Sequence, residues 1–263
     1  MSRFAFALAA ASVASVAALL SCGAPLHRAH RRGATRMVPD RGHDACFEGQ
    51  IKIERFCVDK YEAYVVELDE AGNERPHSPY DVVDGIRIRA KVAAGVVPQG
   101  YISQLKAIEA CANAGKRLCK PDEYIRACRG PDKGSFYPYG GRERHDGACN
   151  EGKGSFVATL YGADYDKITY ENFNDPRLDQ LPNGLAKTGA FPQCVSPEGT
   201  FDMVGNLDEW TSEAPDGNNH GRFRGGWYGD AEMNGPGCMY ETSAHEVAYH
   251  DYSLGFRCCA DAL

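Results

Sequence analysis

The sequence predicts an α+β domain rich in ordered loop, with two short helices, held together by disulfides. Three observations point there: an alternating β-prone run after Gln50, two capped helical segments between 103 and 130, and eleven cysteines. The run IKIERFCVDKYEAYVVEL alternates apolar with polar side chains and is rich in Ile, Val, Phe and Tyr, which suit a half-buried pleated surface. Asp59 to Glu67 is expected to leave that first pairing. Residues 69–100 are polar and punctuated by Gly and Pro, which reads as a loop or excursion. Ser103 can then cap QLKAIEACANAG, where Leu105, Ile108, Cys111 and Ala112 lie on one helical face and Gly115 supplies the stop. In KPDEYIRACRG, Pro121 suits the first turn, Asp122 and Glu123 complement the positive end of the helix dipole, and Gly130 terminates it. Residues 131–200 are dense in Gly, Pro, Asn and Asp, so most of that stretch is expected to be ordered loop. A loop region of that length persists in a compact domain only when something besides a core pins it, and disulfides and bound ions are the candidates.

The N-terminal residues 1–22 carry one basic residue, Arg3, then an uncharged apolar run from Phe4 to Leu20 and Leu-Leu-Ser-Cys. That run is short and weakly flanked for a transmembrane helix and reads as a secretory signal. A small residue before a cysteine resembles a bacterial lipobox, with Cys22 the lipidated first residue of the mature chain; an ordinary cleaved signal is the competing reading. Residues 23–45, rich in Arg, Gly and Pro, read as a flexible tether, and 46–263 as one domain. The formal net charge of -7 argues against a nucleic-acid partner, because binding phosphates takes a basic surface. The expected partners are instead the membrane, through a lipid anchor, and an unknown protein or glycan ligand.

Setting Cys22 aside leaves ten cysteines, an even number in an exported chain: 46, 57, 111, 119, 128, 149, 194, 238, 258 and 259. A disulfide framework of up to five is the expected use, since no CxxC pair marks a zinc site. Spacing by itself does not fix which cysteines pair. The stretch FDMVGNLDEWTSE, residues 201–213, crowds Asp202, Asp208 and Glu209 with Asn206 and Gly205. Such a composition can hold a metal ion, make a paired-acid centre or form a polar turn. HEVAYH at 245–250 spaces its histidines five apart, so on a helix they diverge by about 140° where a zinc protease needs one face.

Six segments together resemble the formylglycine-generating enzyme, or sulfatase-modifying factor, family. They are FCVDKYE at 56–62, CANAGKRLCKPDEYIRACRG at 111–130, FYPYG at 136–140, FDMVGNLDEWTSE at 201–213, FRGGW at 223–227 and LGFRC at 254–258. The resemblance implies a loop-rich variant of the C-type lectin fold. It implies that Cys111 pairs with Cys258 and Cys128 with Cys238. Cys149 with Cys194 would then pin the irregular middle, and Cys46 with Cys57 and Cys119 with Cys259 take the last four. It also implies a structural calcium loop in which Asp202 and Glu209 give side-chain oxygens and Gly205 and Leu207 give carbonyls. A second family ion site begins at an Asn matching Asn150.

Active members of that family oxidise a sulfatase cysteine on copper held by two cysteines soon after the RGG segment, soft ligands for a soft ion. Here RGGWYGDAEMNGPGC has no cysteine between 227 and 237; Asp230 and Gly235 stand near the expected positions. The resemblance thus implies a scaffold without its copper pair and without the oxidase activity, a binding or envelope-associated module. Its rival is a metal-dependent oxidoreductase, of iron or copper, with a rearranged site using Asp230, His245 or His250.

Overall fold

The structure, a computed structural model, describes residues 46–262; the leader over 1–22, Cys22 and the tether over 23–45 lie outside the described residues. In chain order the elements are β1 (Gln50–Ile53), β2 (Phe56–Asp59), β3 (Ala63–Leu68), β4 (Glu74–Pro76), β5 (Ile88–Val92), α1 (Gln104–Asn113), β6 (Arg117–Leu118) and α2 (Pro121–Arg129). There follow α3 (Phe156–Tyr161), α4 (Tyr170–Phe173), β7 (Asp208–Trp210), β8 (Phe223–Arg224), β9 (Glu241–Thr242), β10 (Leu254–Phe256) and β11 (Cys258–Asp261). Strands of two to six residues joined by long connections give the loop-rich α+β architecture that the composition predicts.

Three small sheets carry the fold, in the orders β1-β2-β11-β6, β10-β7-β8-β9 and β4-β3-β5. The first opens with the hairpin of the alternating run, Ile51 opposite Val58, and β11 returns from the far end of the chain to lie antiparallel on β2. β3 leaves that sheet and pairs with β4 and β5. The 69–100 excursion is therefore not all loop: Ile86, Ile88, Ala90 and Val92 alternate with Arg87, Arg89 and Lys91, a strand pattern between Gly85 and Gly95. In the second sheet β7 runs parallel to β10 and antiparallel to β8, which sets Trp210 opposite Phe223.

Helix α1 is capped by Ser103, whose Oγ accepts from Lys106 N at 3.3 Å. Its buried face is Gln104, Ala107, Ala110 and Cys111, whereas Leu105 and Ile108 are 52% and 44% exposed. The expected apolar face is corrected by two anchors. The Gln104 amide donates to Thr211 O at 2.7 Å and Glu213 O at 3.2 Å, and Cys111 is bridged to Cys258. Helix α2 starts on Lys120, whose N–H donates to Glu123 Oε2 at 2.9 Å, and ends at Gly130 with φ 69°. Within 131–200 the regular pieces are α3, α4 and two single 3-10 turns, so the stretch is mostly ordered loop.

Five disulfides join Cys46 to Cys57, Cys111 to Cys258, Cys119 to Cys259, Cys128 to Cys238 and Cys149 to Cys194. Buried side chains gather around them: Val58, Tyr124 and Met203 near Cys128–Cys238, and Ile88, Leu118, Trp210 and Phe256 near Cys111–Cys258. A third cluster packs Tyr101, Phe156, Leu178, Tyr228 and Tyr252.

Candidate functional site

The 201–207 turn is built from residues that tolerate left-handed backbone: Asp202, Gly205 and Asn206 have φ of 57°, 74° and 63°. Gly205 sits so close to Asn150 that a Cβ would collide with the Asn150 carbonyl. Backbone bonds then tie three stretches together: Asn206 N to Asn150 O at 2.8 Å, Gly205 N to Gly225 O at 3.0 Å, and Tyr228 N to Asn206 O at 3.1 Å. The ion-loop turn, the Asn150 stretch and the segment after the double glycine thus form one unit.

Asn206 is its hub. Its Oδ1 accepts from Asn150 Nδ2 at 2.7 Å and Ala186 N at 2.9 Å, and its Nδ2 donates to Glu62 Oε2 at 2.5 Å and Ala186 O at 3.3 Å. Glu62 Oε1 accepts from Leu207 N at 3.0 Å. Burial, reinforced by the Asp202 and Glu209 carboxylates, raises Glu62 well above the usual carboxylate range. Asp202 Oδ2 accepts from Gly189 N at 2.7 Å, and burial pushes Asp202 up to about 6 against the pull of that N–H and of Arg257.

Glu209 meets a guanidinium. Its Oε2 accepts from Arg257 Nε and its Oε1 from Arg257 Nη2, both at 2.6 Å, and both side chains are at most 1% exposed. Arg257 also donates to Asp59 O at 3.1 Å and Phe201 O at 2.9 Å. Asn150 likewise meets a cation: Lys153 Nζ donates to Asn150 Oδ1 and, at 2.8 Å, to Asn183 O. Asn150 Nδ2 reaches Gly184 O at 3.1 Å. Asp202, Gly205, Leu207, Glu209 and Asn150 are thus neighbours, but the side-chain oxygens of Glu209 and Asn150 face Arg257 and Lys153. Glu62, Arg257 and Lys153 carry this site and had no assigned role in the sequence reading. Glu62 and Arg257 do stand inside FCVDKYE and LGFRC, two of the segments that carried the resemblance.

Beyond the double glycine the chain makes a tight turn, Trp227 N to Asp230 O at 2.8 Å, and the Asp230 carboxylate accepts from Glu232 N and Met233 N. Cys238 is bridged to Cys128, and its N–H donates to Phe136 O at 2.7 Å. His245 stacks on Tyr249 with centroids 3.7 Å apart and on Phe223 at 6.0 Å. His250 Nδ1 pairs with Asn174 Oδ1 at 2.7 Å and Nε2 with Asp84 Oδ2 at 3.3 Å. Asp230, His245 and His250 therefore occupy three separate settings, and among the described residues no group of three or more His, Cys, Asp and Glu side chains is arranged to hold a metal. Asp208 and Glu209 point to opposite faces of β7 and do not form a paired-acid centre.

The sulfatase-modifying factor enzyme 1-like domain model matches residues 33–262. The chain belongs to this family. It is 29% identical over 182 residues to the formylglycine-generating enzyme of Mus musculus, covering 63% of this chain and 45% of that protein. It is 28% identical over 186 residues to the inactive C-alpha-formylglycine-generating enzyme 2 of Mus musculus, covering 68% of this chain and 53% of that one. The chain spans about half the length of these relatives. Among solved structures, PvdO from Pseudomonas aeruginosa is similar with a TM-score of 0.46 and 16% identity, over 79% of this chain and 80% of that one. The Major Tropism Determinant P3c variant matches with a TM-score of 0.46 and 13% identity, over 81% of this chain and 52% of that one.

The copper that the resemblance implies for active members would need a pair of free thiolates. All ten cysteines of the described residues are bridged, so none of them offers a thiolate, and Asp230 and Gly235 bring no soft ligand. The donor set does not fit copper.

Proposed function

We propose that this domain is a non-catalytic member of its family that works outside the cytoplasm as a binding module for a protein or glycan. The observation that carries the reading is the absence of a free thiol among the described residues beside an intact scaffold. Disulfides persist in oxidising compartments, so five of them support an exported setting. Among the described residues no helix is long and apolar enough to cross a membrane. Attachment to the envelope through lipid on Cys22 is part of the same proposal. Similarity to a relative named as inactive supports the non-catalytic part of the reading, and the loops of such a scaffold can vary without moving the framework, which suits binding.

Metal analysis of purified protein, together with oxygen uptake in the presence of a thiol, tests the central claim. We expect neither stoichiometric copper or iron nor uptake above buffer; finding both would establish the oxidoreductase reading in its place. Affinity capture from envelope extract with the folded domain, against a reduced and unfolded control, tests binding, and failure to retain any specific protein or glycan counts against it. For the anchor, Cys22→Ser should move the protein from the membrane fraction to the soluble one.

A further inference from the structure

We infer that the two loops aligned with the family's ion sites are closed here by this chain's own cations, Arg257 at Glu209 and Lys153 at Asn150, so that the domain holds its shape without calcium. Calcium asks for six to eight oxygens, including carboxylates free to turn toward it. At Glu209 both oxygens already lie in 2.6 Å charge-assisted bonds to a guanidinium fork, the geometry that fixes a carboxylate most firmly. Turning Glu209 toward an ion would leave Arg257, 1% exposed, as a buried charge without its partner. The other carboxylates of the turn are met by neutral donors, Glu62 by Asn206 Nδ2 and Leu207 N, and Asp202 by Gly189 N. The oxygens of Glu62 and Asp202 are not among the buried atoms left without a hydrogen bond, whereas Oδ1 of Asp208, on the opposite face of β7 from Glu209, is one of them.

At the second loop the oxygens are an amide and a carbonyl, both neutral, for which a monovalent ammonium with three N–H donors is sufficient. Oε1 of the neighbouring Glu151 accepts from Arg144 Nε at 2.6 Å, and its Oε2 is buried without a hydrogen-bond partner. Each cation also joins the chain segments that a bound ion would clamp. Arg257 links β7 to Phe201 and the end of β2, and Lys153 links Asn150 to Asn183 across the irregular middle.

The test is thermal melting of the full chain with a chelator and with millimolar calcium chloride, beside calcium analysis of the purified protein. A bound ion at about one hundred times its Kd would raise Tm by roughly 5–10 °C in a domain of this size. We expect the same Tm in both solutions and no stoichiometric calcium. A lower Tm in chelator, or one calcium per chain, would overturn the inference. Lys153→Met keeps the aliphatic stem, removes the ammonium at a part-buried position and is expected to fold with a lowered Tm. An unchanged Tm in that variant would remove Lys153 from the account.

Discussion

Arg257 and Glu209 show how a single residue decides what a loop can do. A buried ion pair adds little net stability against apolar packing of the same volume, yet breaking one by removing a partner costs about 3–5 kcal/mol. Arg257→Met is therefore expected to lose that much in denaturant unfolding, and Arg257→Met with Glu209→Leu to recover part of it; equal losses in the single and double variants would show that the pair is not coupled. Asp179 is the opposite case. Its Oδ1 accepts from Tyr228 Oη at 2.8 Å, while Oδ2 is buried without a partner, against Gly100, where a Cβ would lie 2.6 Å away. Burial, which outweighs the Tyr228 hydrogen bond, raises its carboxyl well above the ordinary 3.8, and Asp251 adds to the rise. A folded-state pKa above the unfolded one gives stability that is fully present below the ordinary value and lost as pH rises through the folded value. Asp179→Asn should then raise Tm by about 2–4 °C at pH 7 and by nothing near pH 3, read from melts across that range.

At the scale of elements, the rotation of α1 is set by polar and covalent anchors. Relative to Cys111, the buried residues sweep toward Ala107 and Ala110, which leaves Leu105 and Ile108 outside although they are the larger apolar side chains. Gln104→Ala would leave Thr211 O and Glu213 O without their donor and is expected to cost about 1–3 kcal/mol. Leu105→Ser with Ile108→Ser is expected to stay within about 1 kcal/mol of the parent. The reverse ranking in thermal denaturation would reinstate the face read from periodicity. The signals for β5 and α3 were present too. β5 alternates between Gly85 and Gly95, and α3 has a Ser155 cap accepting from Ala158 N at 3.1 Å and a Gly162 stop. Both are short, and a few residues of pattern inside a Gly-rich, Pro-rich stretch do not separate from loop.

For the whole molecule, the irregular middle depends on cross-links. Cys149–Cys194 closes a loop of sequence separation 45, and Asn150, next to it, is held by Asn206 and Lys153. Closing a loop of that length limits the unfolded chain by about 4 kcal/mol in the chain-entropy account. Cys149→Ser with Cys194→Ser should lower Tm and increase hydrogen exchange first within 131–200. Exchange that rises uniformly would mean that the middle is held by the core instead.

The sequence by itself determined the class of fold, the β-prone run after Gln50, the two helices between Ser103 and Gly130, and the lack of cysteines between 227 and 237 after the double glycine. These are local facts, written in periodicity, caps and residue type. The tertiary structure decided which face of α1 is buried, that β3 takes β4 and β5 as its partners, and what stands opposite each oxygen of the loop. Glu209 and Arg257 are far apart in the chain, and so are Glu62 and Asn206, so no spacing rule brings them together. They meet because β10 lies alongside β7 and β11 against β2, and the charge that faces a buried carboxylate is fixed only when those strands pair.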